Sequence, residues 1–226
     1  MKILVLNGSP KKKSDTMHLT KAFLRGIKQS GTHSIEIINV IEKVVRPCTG
    51  CFACWKLQSG KCVQNDDQNE ILEKIKDADV ILWSFPLYCY GMPSHLKAVV
   101  DRFIPFMKMS MTEQDGIVRH NALVDLSSKH FVVLSGCGFP DWKGNFEGLK
   151  QQCRNLFPEH LTMVCVTETP LLNVPVAAPL TGPLLEKFEN AGACYARNLS
   201  LSDALLADLE TPMLPNDVYI QMVNTL

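Results

Sequence analysis

The chain opens Met1-Lys2-Ile3-Leu4-Val5-Leu6-Asn7-Gly8-Ser9-Pro10-Lys11-Lys12-Lys13-Ser14-Asp15-Thr16, and the order of residue types in this stretch governs how the rest is read. Ile3 to Leu6 is an unbroken apolar run closed by Asn7-Gly8, the pattern of a strand covered on both faces, as in a parallel sheet. A small polar loop then leads into a helix expected from Asp15 to about Gln29. Met17, Leu19, Ala22, Phe23 and Ile27 lie there at helical spacing, and Gly31 follows the end. A strand feeding such a loop and helix leaves the first helical N–H groups without partners. Those donors, the helix dipole, the hydroxyls of Ser9, Ser14 and Thr16 and the charge of Lys11 together favour an anion. Neither GxxxxGK[ST] nor GxGxxG is present, which argues against a Walker loop and a dinucleotide fingerprint. A terminal phosphate monoester suits the donors better, because hydroxyls and N–H groups can wrap its free oxygens. The alternative is an ordinary capped helix start beside a solvated lysine run.

Working outward, residues 35–40, 79–84, 131–135 and 161–167 read as further strands. Residues 70–76, 94–103, 146–156 and 184–198 read as helices. Strands and helices in alternation specify an α/β three-layer sandwich around a five-stranded parallel sheet. Right-handed crossovers give the flavodoxin-like order 2-1-3-4-5. Segments 41–69 and 104–129 exceed ordinary connectors, so they are expected to be functional or to form an interface. The first holds a group of cysteines and the second is read as a covering or interface loop. The expected division is a domain over 1–200 and a weakly patterned C-terminal extension over 201–226. Pro212 and Pro215 interrupt that extension, which is expected to dock on the body or on a partner subunit.

Composition narrows the class. The 226 residues are 46% hydrophobic, with 23 basic and 23 acidic side chains. At ~150 residues per domain this is one large domain, or one with an extension, and it needs no disulfide or metal staple to fold. Balanced charge removes the usual reason to expect nucleic acid. No apolar run reaches the roughly 18 residues of a membrane span, and the N-terminal apolar stretch is shorter than a signal-peptide core. The expectation is a cytoplasmic protein whose nine cysteines are mostly thiols.

Two more loops resemble ligand sites. Ser84-Phe85-Pro86-Leu87-Tyr88-Cys89-Tyr90-Gly91-Met92-Pro93 follows the third strand. In an open α/β sheet, ligands bind beyond the carboxyl ends of the strands, at the switch point between strands 1 and 3. Prolines, a glycine and two tyrosines there offer flat apolar surface and stiff backbone, which suits an aromatic ring system with polar edges. Gly136-Cys137-Gly138 follows the fourth strand, where glycine lets backbone approach a ligand and N–H groups can stabilise growing negative charge. A phosphate loop and two ring loops on one sheet edge point to flavin mononucleotide (FMN). No catalytic acid or base is assigned, because hydride transfer to a flavin does not demand one. Lys97 and Asp101, at i and i+4 on the 94–103 helix, are expected to form a surface pair.

Cys48, Cys51, Cys54 and Cys62 form the pattern C-x2-C-x2-C-x7-C. Four thiolates at short spacing can wrap a four-iron four-sulfur (4Fe-4S) cube. Structural zinc usually takes two separated CxxC knuckles. A third reading, empty thiols in a packed loop, is favoured by Phe52 and Trp55.

On these motifs, together with Gly60-Lys61-Cys62, Asp66-Asp67, Leu96-Lys97 and Asp101-Arg102, the sequence resembles the flavodoxin-like NAD(P)H-dependent FMN reductases. That family includes iron–sulfur flavoproteins and multimeric flavodoxin-like quinone reductases, and the resemblance covers residues 1 to about 200. It implies that Ser9, Lys11, Ser14 and Thr16 hold the FMN phosphate, while Pro86 to Gly91 and Gly136 to Phe139 hold the isoalloxazine. Asp15 stands where members often carry Asn, which implies a helix cap rather than a phosphate ligand. The implied activity is transfer of a hydride from NAD(P)H to FMN and on to a quinone, a flavin or another small acceptor, in a homodimer or homotetramer. Segment 104–129, with Lys108, Arg119 and His120, would cover the flavin face or complete it in a neighbouring subunit. The alternative is an iron–sulfur flavoprotein-like electron carrier fed by ferredoxin, against which the balanced charge argues mildly.

Overall fold

The computed structural model describes residues 1–225. The chain runs β1 (Lys2–Asn7), α1 (Asp15–Gln29), β2 (Ser34–Asn39), α2 (Ala53–Leu57), α3 (Gln68–Asp77), β3 (Val80–Pro86), α4 (Ser94–Asp101), β4 (Met107–Gln114) and β5 (Ile117–Ala122). It continues with β6 (His130–Gly136), α5 (Glu147–Leu156), β7 (Leu161–Val166), α6 (Ala178–Asn198), α7 (Asp203–Leu209) and α8 (Asn216–Asn224). Five of the strands pair in parallel as β2-β1-β3-β6-β7.

Side chains alternate across this sheet, as the period of two requires. Leu4, Leu6, Ile81, Trp83, Phe131 and Val133 face a layer that includes Ile71, Leu72 and Ile75 of α3, Leu96 and Val99 of α4 and Leu149 and Cys153 of α5. Ile3, Val5, Leu82, Val132 and Leu134 face Leu19, Phe23 and Ile27 of α1 and Phe188 and Tyr195 of α6. Both faces are buried, which is why the strands read as continuous apolar runs.

Two expectations are corrected, and the extension docks on the body. The strand order is not numbered 2-1-3-4-5, because segment 104–129 is no loop. It contains the antiparallel hairpin β4–β5, which forms its own two-stranded sheet and shifts the later strands to β6 and β7. Its turn is Asp115-Gly116, both at positive φ, the pairing that a tight hairpin prefers. Helix α6 starts at Ala178 rather than at 184 and passes through Pro183, whose missing N–H leaves only a carbonyl near the helix start unpaired. The weakly patterned extension forms α7 and α8, and buries Leu209 and Tyr219 against the body. No helix among the described residues is long and apolar enough to cross a membrane.

Candidate functional site

Topology brings the ends of β1, β3 and β6 together at one edge of the sheet. After β1, the Ser9 N–H donates to Asn7 Oδ1 at 3.1 Å, and the Lys11 N–H donates to Ser9 Oγ at 3.3 Å. Ser9 therefore accepts within the loop and keeps its hydroxyl hydrogen. Ser14 is the N-cap of α1, its Oγ accepting from the Met17 N–H at 3.2 Å. Its hydroxyl meets Thr16 Oγ1 at 3.0 Å, so Thr16 can pass its own hydrogen outward. All three hydroxyl residues are buried.

After β3, Tyr88 and Gly91 exchange backbone hydrogen bonds at 3.0 Å each way. Cys89 and Tyr90 between them have φ of 46° and 65°. That left-handed conformation is uncommon for side-chain-bearing residues, and such backbone strain clusters at functional sites. It lifts both tyrosines to the rim, where they stay exposed. After β6, Gly136 lies so close to its neighbours that a Cβ would stand 2.5 Å from Thr169 Cγ2 and 3.1 Å from Thr16 Cγ2. Only glycine permits that approach.

A cleft of about 120 Å³ joins Ser9, Lys11 and Thr16 to Pro86, Leu87 and Tyr88 and to Gly136, Cys137 and Gly138. Ser14, Cys89, Tyr90 and Gly91 lie outside it. Ser14 faces a larger cleft of about 750 Å³ on the β2 side of α1, with Lys12, Lys13, His18 and Lys21. Cys89, Tyr90 and Gly91 make the turn that shapes the rim.

Part of the backbone after β3 and β6 is committed to the sheet, and the cap expected at Asp15 is corrected. The Leu87 and Cys137 N–H groups are taken by Gly136 O at 2.7 Å and Val166 O at 2.9 Å, because these residues prolong the sheet pairing. They are not free to stabilise a ligand's charge. Lys11 Nζ pairs with Asp15 at 2.9 Å, and that carboxylate, by its hydrogen bond first, raises the lysine pKa. Asp15 is the first helical residue rather than the cap, and it also accepts from Asn173. Burial pushes the Cys137 thiol up to about 11, so it stays protonated at neutral pH.

Thr169 and Pro170 also line the cleft, and sequence reasoning missed them. The rule that ligands collect beyond strand ends applied equally to β7. His95 was likewise unassigned. Its Nε2 donates to the Gly8 carbonyl at 2.9 Å, and burial lowers its pKa more than that bond raises it. A neutral imidazole thus braces the loop after β1.

The cysteine segment lies apart from this edge. Cys48, Cys51, Cys54 and Cys62 are free thiols lining one small cleft with Arg102, Ile104 and Pro105. Bonds from the Ala53 backbone and the Thr49 hydroxyl lower the Cys51 pKa, while burial raises that of Cys54. Among the described residues, no three His, Cys, Asp or Glu side chains converge on a single-ion position. A cubane gives each thiolate its own iron, so its ligand sulfurs stand farther apart than those around one zinc. The segment is held by side chains. Asp66 accepts the Arg46 N–H at 2.9 Å and Arg102 Nη1 at 2.6 Å, while Asn69 bonds both the N–H and the carbonyl of Cys62 at 2.8 and 2.9 Å. Burial works against the Asp66 charge, but Arg102 and the Arg46 and Gln68 N–H groups hold its pKa below the usual value. Phe52 stacks on Trp55 at 4.7 Å, and Trp55 meets His120 of β5 at 5.0 Å, tying the segment to the hairpin.

The model of a family described by its flavodoxin-like fold, Flavodoxin_2, matches residues 1–166. An iron-sulfur flavoprotein of Methanocaldococcus jannaschii is 37% identical over 105 residues, which are 46% of this chain and 53% of that protein. An iron-sulfur flavoprotein of Archaeoglobus fulgidus is 37% identical over 102 residues, 45% of this chain and 48% of that one. The matched stretch spans about half the length of these curated relatives. Among solved structures, an FMN-dependent NADH-azoreductase from Bacillus anthracis in complex with FMN aligns with a TM-score of 0.63 and 21% identity. It covers 86% of this chain and 99% of that one. An NAD(P)H:quinone oxidoreductase from Methanothermobacter marburgensis gives 0.62 and 19%, over 85% and 96%. At such identities the likeness is one of fold.

Proposed function

The chain belongs to the family with the flavodoxin-like fold, matched over residues 1–166, and from that premise we propose that the sheet-edge cleft holds FMN. The protein is then an oxidoreductase that takes a hydride from NAD(P)H and passes the electrons to a quinone, a flavin or another small acceptor. One observation carries this reading: three loops far apart in sequence meet at one cleft with buried hydroxyls on one side and apolar, glycine-rich backbone on the other. Ser9 and Thr16 have hydroxyl hydrogens to donate to a phosphate, and the capped N-terminus of α1 adds its dipole. Lys11 adds charge that Asp15 partly offsets. Leu87 and Tyr88 offer flat surface to a ring, and Gly136 and Gly138 let the opposite wall come close. Bound there, FMN supplies the hydride-accepting ring, while the chain binds, orients and shields it.

The names of the azoreductase and quinone oxidoreductase neighbours support this reading. Its test is anaerobic stopped-flow mixing of the FMN-loaded protein with NADPH or NADH. Rapid flavin bleaching is expected; reduction by ferredoxin or dithionite alone overturns it.

A second reading rests on the shared cleft of Cys48, Cys51, Cys54 and Cys62. It places a 4Fe-4S cluster there, in an electron carrier that accepts from ferredoxin, as the names of the iron-sulfur flavoprotein relatives support. Iron and flavin content with an absorption spectrum of fresh anaerobic protein tests it. We further place the β4–β5 hairpin at a contact between copies in a homodimer or homotetramer. Its Met109, Met111 and Val118 are exposed, and an isolated two-stranded ribbon is only marginally stable. Light scattering of the purified protein reads the assembly directly.

A further inference from the structure

Arg102 closes α4 at its C-cap with a relative exposure of 1%. It is the one buried basic side chain among the described residues. A guanidinium has five N–H donors in a fixed fork. Nη1 donates to Asp66 Oδ2 at 2.6 Å and to the Arg46 carbonyl at 3.2 Å. Nε and Nη2 are buried and have no partner. Nearly all buried polar groups are paired, and an unpaired donor on a cation is the costliest exception.

A purely structural role accounts for one edge of the fork. It fixes Asp66, and through Asp66 the Arg46 and Gln68 N–H groups. It does not account for the other donors. Arg102 lines the cysteine cleft. Among the described residues Nε and Nη2 meet no acceptor at hydrogen-bond geometry, and the cleft that Arg102 lines is that of the four cysteines.

We propose that Arg102 donates its free Nε–H and Nη2–H groups to the sulfurs of a cluster held by Cys48, Cys51, Cys54 and Cys62, and thereby raises that cluster's reduction potential. This rests on the second reading above. Four thiolates around a 4Fe-4S core leave a net negative charge, which grows by one unit when an electron enters. A buried cation at hydrogen-bond range favours the more negative state, and N–H···S bonds act in the same direction. Asp66 lies on the far edge of the fork, so the ion pair is a dipole with its positive end toward the cysteines. Arg102 neither supplies nor takes the electron, which comes from the ferredoxin-class donor; Arg102 stays protonated throughout.

The experiment compares full-length wild type, Arg102→Lys and the paired Asp66→Asn/Arg102→Met, each reconstituted anaerobically with iron and sulfide. The paired variant leaves no lone buried charge, and the lysine variant keeps the charge while losing the fork. Iron content, cluster midpoint potential, FMN affinity and the melting temperature of the cofactor-free chain are measured. The paired variant is expected to keep its iron and its FMN affinity. Its cluster potential should fall by at least a tenfold change in the one-electron equilibrium, about 59 mV. Arg102→Lys should fall between it and wild type. Loss of iron from the paired variant at an unchanged melting temperature overturns it, since Arg102 would then hold the cluster rather than tune it. Unchanged potentials with full iron in both variants overturn it and leave the cluster standing. Wild type that takes up no iron overturns the cluster reading and this inference together, with FMN binding untouched.

Discussion

The sheet-edge loops and the cysteine segment are both irregular, but they are held in place by different means. After β1, β3 and β6 the backbone leans on the sheet itself. The Gly8 N–H meets Ser84 O at 2.8 Å, and those of Leu87 and Cys137 are paired to neighbouring strand ends. Among the described residues, the backbone of the cysteine segment pairs with no strand. Its backbone is held by the side chains of Asp66, Asp67 and Asn69, with Arg102 beneath Asp66. The loops after β3 and β6 should therefore keep their shape when a side chain changes, while the loop after β1 also depends on the bonds of Asn7, Ser9 and Ser14. The cysteine segment should lose its shape when one of a few polar side chains is removed.

The largest effect expected at the sheet edge is on binding. Ser9→Ala with Thr16→Ala removes two donors to a charged group, each worth about 1.5–3 kcal/mol. Titration calorimetry should show FMN affinity falling by roughly two to four powers of ten, while the flavin-free chain loses only the Lys11–Ser9 and Ser14–Thr16 bonds, about 1 kcal/mol each. Unaltered affinity sinks the phosphate assignment. For the cysteine segment the corresponding effect is on stability. Asp66→Ala strands the buried Arg102 charge and frees the Arg46 N–H, a loss of about 3–5 kcal/mol. Urea unfolding measures it, and a loss under about 1 kcal/mol would mean that side chains do not hold this segment.

A smaller effect concerns pH. Glu168, buried beside the Thr169 wall of the cleft, accepts the Met213 and Leu214 N–H groups and anchors the C-terminal extension. Burial raises its pKa above the ordinary 4.5, against the pull of those two donors. The folded chain thus holds this proton more tightly than the unfolded chain. The resulting stability is complete below the unfolded value and is lost as pH rises through the folded one. Glu168→Gln should flatten the decline in melting temperature between pH 4.5 and neutrality. A decline as steep as that of wild type shows that Glu168 does not titrate in this window.

What could be read from sequence follows the same division. Helix α1 was legible because its apolar positions repeat over four turns, although its cap is Ser14 rather than Asp15. The sheet-edge cleft was legible because topology alone brings the ends of β1, β3 and β6 together. Thr169 was missed although the same rule covers β7. The hairpin was missed despite its Asp115-Gly116 turn, because Met109 and Met111 lie exposed and no buried face enforces a pattern. Arg102 was not legible as a buried group. Its partner lies 36 residues earlier, and nothing local separates it from the exposed Asp101 beside it.

That neighbour gives the smallest prediction and the most direct control. Lys97 and Asp101 pair along the exposed face of α4, with side chains 39% and 45% exposed. Arg102 and Asp66 pair one residue further on, at 0% and 1%. The two ion pairs have the same formal charges and differ in burial. In water the attraction is weak, screened by salt, and offset by the entropy of holding two flexible chains together. Lys97→Ala should therefore cost about 0.3–0.5 kcal/mol, and less at high salt. Asp66→Ala should keep most of its effect at the same ionic strength, because the buried pair is shielded from counterions. Urea unfolding of both variants at low and high salt makes the comparison. Equal losses, or equal salt dependence, would show that burial is not what makes the cysteine segment depend on its side chains.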